Sequence, residues 1–475
     1  MITARAFAGK HYAVYGLARS GLATVEALLA SGAKVTAWDA KEEARSSLAA
    51  KQRGRGTAEG GGGGDHAFPL HHAAHGSPPP AQPREDLTIA NLDQADLSQF
   101  DSLVVTPGLP LNRHPITQRA RDAGVEIIGD IELFARARPE LPPHKVVGIT
   151  GTNGKSTTTA LVHHILKTAG VPTTMGGNIG LPILAQDPLP EGGVYVLELS
   201  SYQIDLTQSL DCDVAVLLNI TPDHLDRYES FEAYAASKMR LFEMQSNFNL
   251  AVFTGEDQIG YEAYKNRWQS AQGVTILVTS DGFSDERLNE GLAEWTHQSR
   301  WSALRGPHNL QNAFCAASVC WALGLTLDDL RRGLETYPGL PHRMERVREK
   351  DGVTFVNDSK ATNPTATAPA LAAFEKIRWI CGGQAKTDNL DECAPFFGNV
   401  ASAYTIGEAA ELFERLLSPH MPVKNCGKLG TAVAEAAADA TPGDTVLLSP
   451  ACASFDQFRD FEDRGDRFRE MVGAL

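Results

Sequence analysis

A chain of 475 residues, 43% of them hydrophobic, has the length of about three ordinary domains and enough apolar side chains to give each a core. Its formal net charge of −15 argues against a nucleic-acid partner, because phosphate backbones select basic surfaces. The N-terminal run MITARAFAGKHYAVYG lacks the apolar core of a signal peptide, no window approaches a membrane span, and the seven cysteines form no CxxC pair, so a reducing cytoplasmic setting is expected.

In chain order, HYAVYG, KVTAWD and SLVVTPG read as the first strands. HKVVGITG, VYVLELS, VAVLLNI and LAVFTG follow, and VTFVND, IRWICGG, AYTIGE and TVLLSP close the chain. Such apolar runs, separated by helical patterns, predict an α/β protein with mainly parallel sheets covered on both faces. Proline-rich breaks at Arg138–Pro143 and Tyr337–Pro341 predict domains at 1–138, 139–340 and 341–475. Residues 51–84, with Gly60 to Gly64 in a row and Pro78 to Pro80, cannot bury a core and read as a flexible surface insertion. Its His66, His71, His72 and His75 suit either a solvated loop or a metal.

KHYAVYGLARSGLATVEALLASG predicts strand, glycine turn and helix. Gly16 and Gly21 take the outer places of a dinucleotide fingerprint, but Ala18 replaces the middle glycine; Asp39 ends the next strand, where a ribose-binding acid often sits. This start is Rossmann-like. Helix packing alone also explains the glycines, and a nucleotide-binding oxidoreductase fits this stretch too.

The strongest chemical signal is VVGITGTNGKSTTT, residues 146–159. A strand enters a glycine-rich turn and a helix is expected from Thr157 to Ala169, aiming backbone N–H groups at an anion. Gly151, Thr152, Asn153, Gly154, Lys155, Ser156 and Thr157 would surround a nucleotide's phosphates, with Lys155 reaching the terminal groups and the Ser156 hydroxyl binding Mg2+. The usual first glycine of a P-loop is Ile149 here. Glu198 ends VYVLELS, Asp223 and His224 follow VAVLLNI, and Lys238 lies on a probable helix. Strand ends of a parallel sheet face one crevice, so a carboxylate, an imidazole and Ser156 can hold Mg2+ against phosphate. A structural histidine and a solvated lysine are the bland alternatives.

The ordered series GITGTNGKST, GGNIG, LELSSYQID, LNITPDHLDRY, GPHNLQNAFCA and LPHRME closely resembles the Mur ligases. NDSKATNPTAT and SPACASFDQFRDFEDRGDRF look like the branch of that family that adds D-glutamate. The resemblance covers nearly the whole chain except the insertion. It implies three domains: a Rossmann-like one for UDP, a central ATP-binding one, and a C-terminal Rossmann-like one for the amino acid. It further implies an amide ligase using ATP, with UDP-N-acetylmuramoyl-L-alanine and D-glutamate as substrates. Nothing calls for nucleic acid, a membrane or an obligate protein partner. By resemblance Lys155 clamps phosphate, Ser156 and Glu198 hold magnesium, and His224 binds a second magnesium with a carbamylated Lys238. Asn309, Asn312, Arg343 and Asp358 fit the nucleotide, and Lys360 fits the site between acyl phosphate and amine. Asn178 and Ser200 fit the muramoyl-alanine side. Thr362, Lys386, Ser454 and Phe461 fit the D-glutamate pocket, and Leu17, Ala18, Asp39 and Gly108 fit UDP. Asn309 and Asn312 also suit helix capping, and Arg343 a surface charge. A folylpolyglutamate-type ligase or the enzyme adding the third residue remain the alternatives within the superfamily.

Overall fold

The protein, seen in a computed structural model, is described over residues 1–54, 86–223, 227–270, 274–279, 282–285, 288, 300, 301, 303, 304 and 307–475. It divides into two compact units. The first holds Met1–Trp301 and Arg305–Thr336, the second Ser302–Leu304 and Tyr337–Leu475. Among the described residues, no helix is long and apolar enough to cross a membrane.

The first unit opens with β1 (His11–Tyr15), β2 (Lys34–Trp38), β3 (Leu87–Ile89), β4 (Ser102–Val105) and β5 (Glu126–Ile128). They form a parallel sheet in the order β3-β2-β1-β4-β5, as a Rossmann-like start requires. Gly16 leaves β1 with φ +99°, and a Cβ on Gly21 would strike the Gly16 carbonyl. Backbone contact between strand exit and helix Arg19–Ala30 therefore accounts for both glycines. Helix Glu42–Gly54 extends into the stretch expected to be low-complexity insertion. The remainder of that stretch, its four histidines included, lies outside the described residues.

The second sheet contains β6 (His144–Thr150), β7 (Thr173–Gly177), β8 (Gly193–Glu198), β9 (Val214–Leu217), β10 (Leu250–Thr254), β11 (Thr275–Thr279) and β12 (Gly282–Phe283). Its order is β12-β11-β10-β9-β6-β8-β7, parallel except for the β11–β12 pair. The core strands β6, β8 and β9 are apolar because helices cover both faces.

A clamp joins this sheet to the first. Glu132, 1% exposed, accepts from the Gln208 and Ser209 amides at 2.7 and 2.9 Å and from Ser209 Oγ at 2.9 Å. Arg136 donates to Glu132 at 2.8 Å and grips Glu126 with both terminal nitrogens. Phe134 packs edge-on against Tyr195, centroids 5.1 Å apart, so one apolar cluster runs through both layers.

The second unit holds β13 (Glu345–Lys350), β14 (Val353–Asn357), β15 (Ile377–Gly382), β16 (Val400–Ile406), β17 (Val423–Gly427) and β18 (Thr445–Leu448). Their order is β13-β14-β18-β15-β16-β17, with only the β13–β14 pair antiparallel. All seven cysteines are unbridged, six of them buried.

Glu132→Ala should cost about 2 kcal/mol, because it removes a buried carboxylate that holds the Gln208 and Ser209 amides, the Ser209 hydroxyl and the half-buried Arg136. A chemical-denaturation midpoint that does not move would contradict this account of the seam between the two sheets.

Candidate active site

The phosphate-type loop is built where β6 ends. Gly154 takes φ +83° and caps helix Lys155–Thr168, so Lys155 and Ser156 already lie in the first helical turn, two residues earlier than the pattern suggested. A side chain on Gly154 would press on Asn312 Oδ1, which itself accepts from Thr158 Oγ1 at 3.2 Å. Asn312 is buried and its amide lies 3.4 Å from Asn309 Oδ1. Helix Pro307–Ala322 thus brings Asn312 to the loop, with Asn309 one turn away beside it.

A residue that motif reading passed over fixes the loop's shape. Asn219, just beyond β9, accepts from the Asn153 amide through Oδ1 at 2.9 Å and donates to the Asn153 carbonyl at 3.1 Å. Its own carbonyl accepts from the Thr152 amide at 2.7 Å, and Thr152 Oγ1 shares a hydrogen bond with Tyr234 at 3.1 Å. The only hint was position, since a polar side chain directly after a buried strand can reach the neighbouring loop.

Two lysines converge on the same carbonyl. Lys155 Nζ donates to the Gly151 and Thr152 carbonyls at 2.9 and 2.7 Å. Lys238, 2% exposed on helix Phe231–Glu243, donates to the Gly151 carbonyl at 2.9 Å and lies 4.6 Å from the Tyr234 ring centroid. Burial, reinforced by the Lys155 charge and opposed by Asp223 and Asp205, pulls the Lys238 amine down to about 7. The solvated-lysine alternative is therefore excluded.

Glu198 ends β8 in register with Ile149 of β6, which sets it level with the loop. It is 2% exposed; Oε1 accepts from Asn178 Nδ2 at 2.9 Å, while buried Oε2 has no hydrogen-bond partner among the described residues. A buried carboxylate oxygen left this way is costly unless a cation meets it. Together with the Ser156 hydroxyl in the first turn, this donor set suits Mg2+. His224 lies outside the described residues. Ser200 caps helix Ser201–Asp205 in a reciprocal box with Gln203, so its hydroxyl already has a structural task.

In the first sheet, Asp39 Oδ2 accepts from the Leu17 amide at 2.7 Å and Oδ1 from the Lys41 amide at 2.9 Å, drawing Leu17, Ala18 and Asp39 into one loop. Gly108 stands on a neighbouring loop, where its carbonyl accepts from Arg227.

In the second unit, Asp358, Lys360 and Thr362 follow β14, Lys386 follows β15, and Ser454 follows β18. These strands are neighbours, so their exits cluster. Gln384 and Ala453 exchange backbone bonds of 2.9 Å, which sets the loop of exposed Lys386 beside that of buried Ser454. Lys360 Nζ lies 3.8 Å from the Phe461 ring centroid. Burial pushes Asp358 up to about 7, although Ser449, the Met344 amide and Arg343 favour its charge. Exposed Arg343 sits between His342 and Met344, both at positive φ, a strained turn that Met344 N–H secures on Asp358 Oδ1 at 3.1 Å. Arg464, fully buried, was also passed over. It donates to Ser359 Oγ and to the Ser359, Cys452 and Ala453 carbonyls at 2.9–3.3 Å.

A phosphate-type loop on a mainly parallel sheet, flanked by a Rossmann-like sheet and followed by a second α/β unit, defines a multidomain nucleotide-binding α/β protein. Residues 149–320 match the description of the Mur ligase middle domain, and 342–452 that of the Mur ligase, glutamate ligase domain. The chain is 56% identical to a UDP-N-acetylmuramoylalanine--D-glutamate ligase of Novosphingobium aromaticivorans, over all of this chain and 97% of the relative. It is 53% identical to the ligase of that name from Sphingopyxis alaskensis, over the full length of both. A solved UDP-N-acetylmuramate-alanine ligase of Thermotoga maritima shares the fold at TM-score 0.54 and 17% identity, over 98% of this chain and 99% of that one. The chain belongs to the Mur ligase family.

Replacing Glu198 by Gln should raise stability in EDTA by about 1–3 kcal/mol, because a buried, unsatisfied charge is removed. Added Mg2+ should then raise the melting temperature of the parent but not of Glu198→Gln. An equal rise in both would take Glu198 out of the magnesium site.

Proposed function

We propose that this protein is an ATP-dependent ligase that joins D-glutamate to UDP-N-acetylmuramoyl-L-alanine in cytoplasmic peptidoglycan precursor synthesis. The observation that carries the reading is the meeting of Lys155, Lys238 and the Gly151 carbonyl at the mouth of the loop, level with Glu198. The family and the relatives' names support the choice of substrates. Residues 1–138, 139–340 and 341–475 are proposed as the UDP, ATP and amino-acid domains.

Amide formation needs an activated carboxyl. The alanyl carboxylate attacks the γ-phosphorus of ATP and ADP departs, leaving an acyl phosphate. The neutral amine of D-glutamate then attacks the acyl carbon, phosphate leaves, and the nitrogen loses its proton. Charge accumulates on phosphoryl oxygens throughout, so positioned cations carry most of the rate. Lys155 and the loop amides from Gly151 to Thr157 hold the phosphates. Asn309, Asn312, Arg343 and Asp358 are proposed for the nucleotide. Leu17, Ala18, Asp39, Gly108, Asn178 and Ser200 are proposed for the UDP-sugar substrate. Ser156, Glu198, His224 and Lys238 would hold magnesium, which supplies charge neutralisation at the transferred phosphate.

An amine lowered to about 7 is about half unprotonated at neutral pH, and that neutral form adds CO2, losing a proton to become a carbamate. That change converts a cation into an anion, the form a metal ligand needs. Fully active protein should therefore carry one added CO2 on Lys238, seen by native mass spectrometry or by 13C NMR with labelled bicarbonate. A bare amine in active enzyme would rule this modification out.

Lys386, Thr362, Ser454 and Phe461, with Lys360 beside them, are proposed for D-glutamate. A site that pairs a lysine with the distal carboxylate rejects ligands lacking it. Phosphate release from ATP with UDP-N-acetylmuramoyl-L-alanine should be strongly faster with D-glutamate than with D-alanine, L-lysine or L-glutamate. Lys386→Ala should raise KM for D-glutamate at least about tenfold and KM for ATP less than about twofold. Equal use of L- and D-glutamate would defeat the amino-acid assignment and favour a polyglutamate-type ligase.

A further inference from the structure

Two adjacent residues after β9 reach in opposite directions. Arg227 turns toward the first sheet. Its guanidinium donates to the Leu109 carbonyl at 2.9 Å and to the Pro107 and Gly108 carbonyls at 3.4 Å. It also lies 4.3 Å from the ring centroid of Tyr202, which stacks on Tyr228. Tyr228 turns inward. Its hydroxyl donates to Asp205 Oδ2 at 2.8 Å and shares a hydrogen bond with Ser237 at 3.2 Å; Ser237 also donates to Asp205 Oδ1 at 2.7 Å. Ser237 precedes Lys238 on the same helix. One side of the segment thus holds the loop after β4, the other the helix of Lys238. Both residues border a cavity of about 520 Å3 between the two sheets.

We infer that Arg227 is a positioning residue for the UDP-sugar substrate. It gathers three successive carbonyls of the loop that carries Gly108 and so sets that loop before substrate arrives. Only a planar fork can do this while stacking on Tyr202; an ammonium offers neither the reach nor the face. The inference rests on the reading that the loop after β4 meets the UDP-sugar substrate. Its tyrosine neighbour supplies the contrast, because losing the Tyr228 hydroxyl leaves the guanidinium and its carbonyls untouched.

The test is calorimetric binding of UDP-N-acetylmuramoyl-L-alanine, together with KM for all three substrates, in full-length Arg227→Ala, Arg227→Lys and Tyr228→Phe. Arg227→Ala should weaken that binding, and raise the matching KM, about tenfold, as expected for loss of a charge-assisted contact set, while KM for ATP and D-glutamate stays within about twofold. Arg227→Lys should fall between, and Tyr228→Phe should bind as the parent does. A uniform loss across all three substrates, unchanged binding in Arg227→Ala, or an equal loss in Tyr228→Phe would overturn the assignment. If Arg227→Ala fails to fold, the contrast between Arg227→Lys and Tyr228→Phe decides. Parent protein that binds the UDP-sugar but does not ligate D-glutamate would defeat the ligase reading alone, since the binding comparison needs no turnover.

Discussion

Two ammonium groups on one carbonyl oxygen form an arrangement that a protein interior does not tolerate in its fully charged form. Lys155 and Lys238 both donate to Gly151, and Lys238 is buried beside Tyr234. Like charges this close repel, and burial removes the water that would screen them. The amine that gives way is the more buried one. The rest of the first unit is arranged around that fact. Asn219 fixes the loop whose carbonyl the lysines share, Asn312 supports it from behind, and β8 delivers Glu198 to the same level. A loop lysine, a second lysine pulled down toward neutrality and a carboxylate oxygen without a hydrogen-bond partner among the described residues make a site that polyphosphate and a divalent cation would complete.

The interior of each sheet was legible in the sequence, and the edges were not. HYAVYG, HKVVGITG, VYVLELS, VAVLLNI and TVLLSP are strands covered on both faces, and their apolar runs announce it. The strands that escaped notice include β3 and β5, β7 and β12, and β13 and β17, which are the two edges of each of the three sheets. Edge strands stay short, polar or interrupted because an exposed apolar edge invites aggregation. β13 reads ERVREK, β17 reads VKNCG, and β7 ends in two glycines. Within β11, TILVT, the apolar run was present but unread, and this one owes nothing to edge chemistry.

The candidate site divides in the same way. Residues whose type carries the chemistry could be picked out: Lys155 by the loop motif, Glu198 by its strand end, and Lys238, within a helix, by the resemblance to the Mur ligases. Residues that hold loops in shape could not. Asn219 and Arg464 act through backbone groups of partners far away in the chain, and no local pattern marks such pairings. The strained turn at His342 and Met344 is likewise invisible in the letters HRME, since methionine does not favour positive φ and histidine, though enriched there, adopts it only rarely.

Arg464 shows why loop-holding residues matter as much as those that meet ligand. Burial lowers its guanidinium to about 10, so the charge persists at neutral pH although its hydrogen-bond acceptors are neutral. Arg464 has no ion pair among the described residues, and a buried cation left so is costly. The cost is offset here by several charge-assisted hydrogen bonds made from one rigid fork. Those bonds tie the exit of β14, through Ser359, to the exit of β18, through Cys452 and Ala453. Ala453 in turn pairs with Gln384 beyond β15. One side chain thus joins the exits of β14 and β18, and the Gln384–Ala453 pair extends that link to the exit of β15. Lysine could keep the charge but could not span those acceptors, so the geometry of this loop cluster requires a guanidinium rather than a positive charge alone.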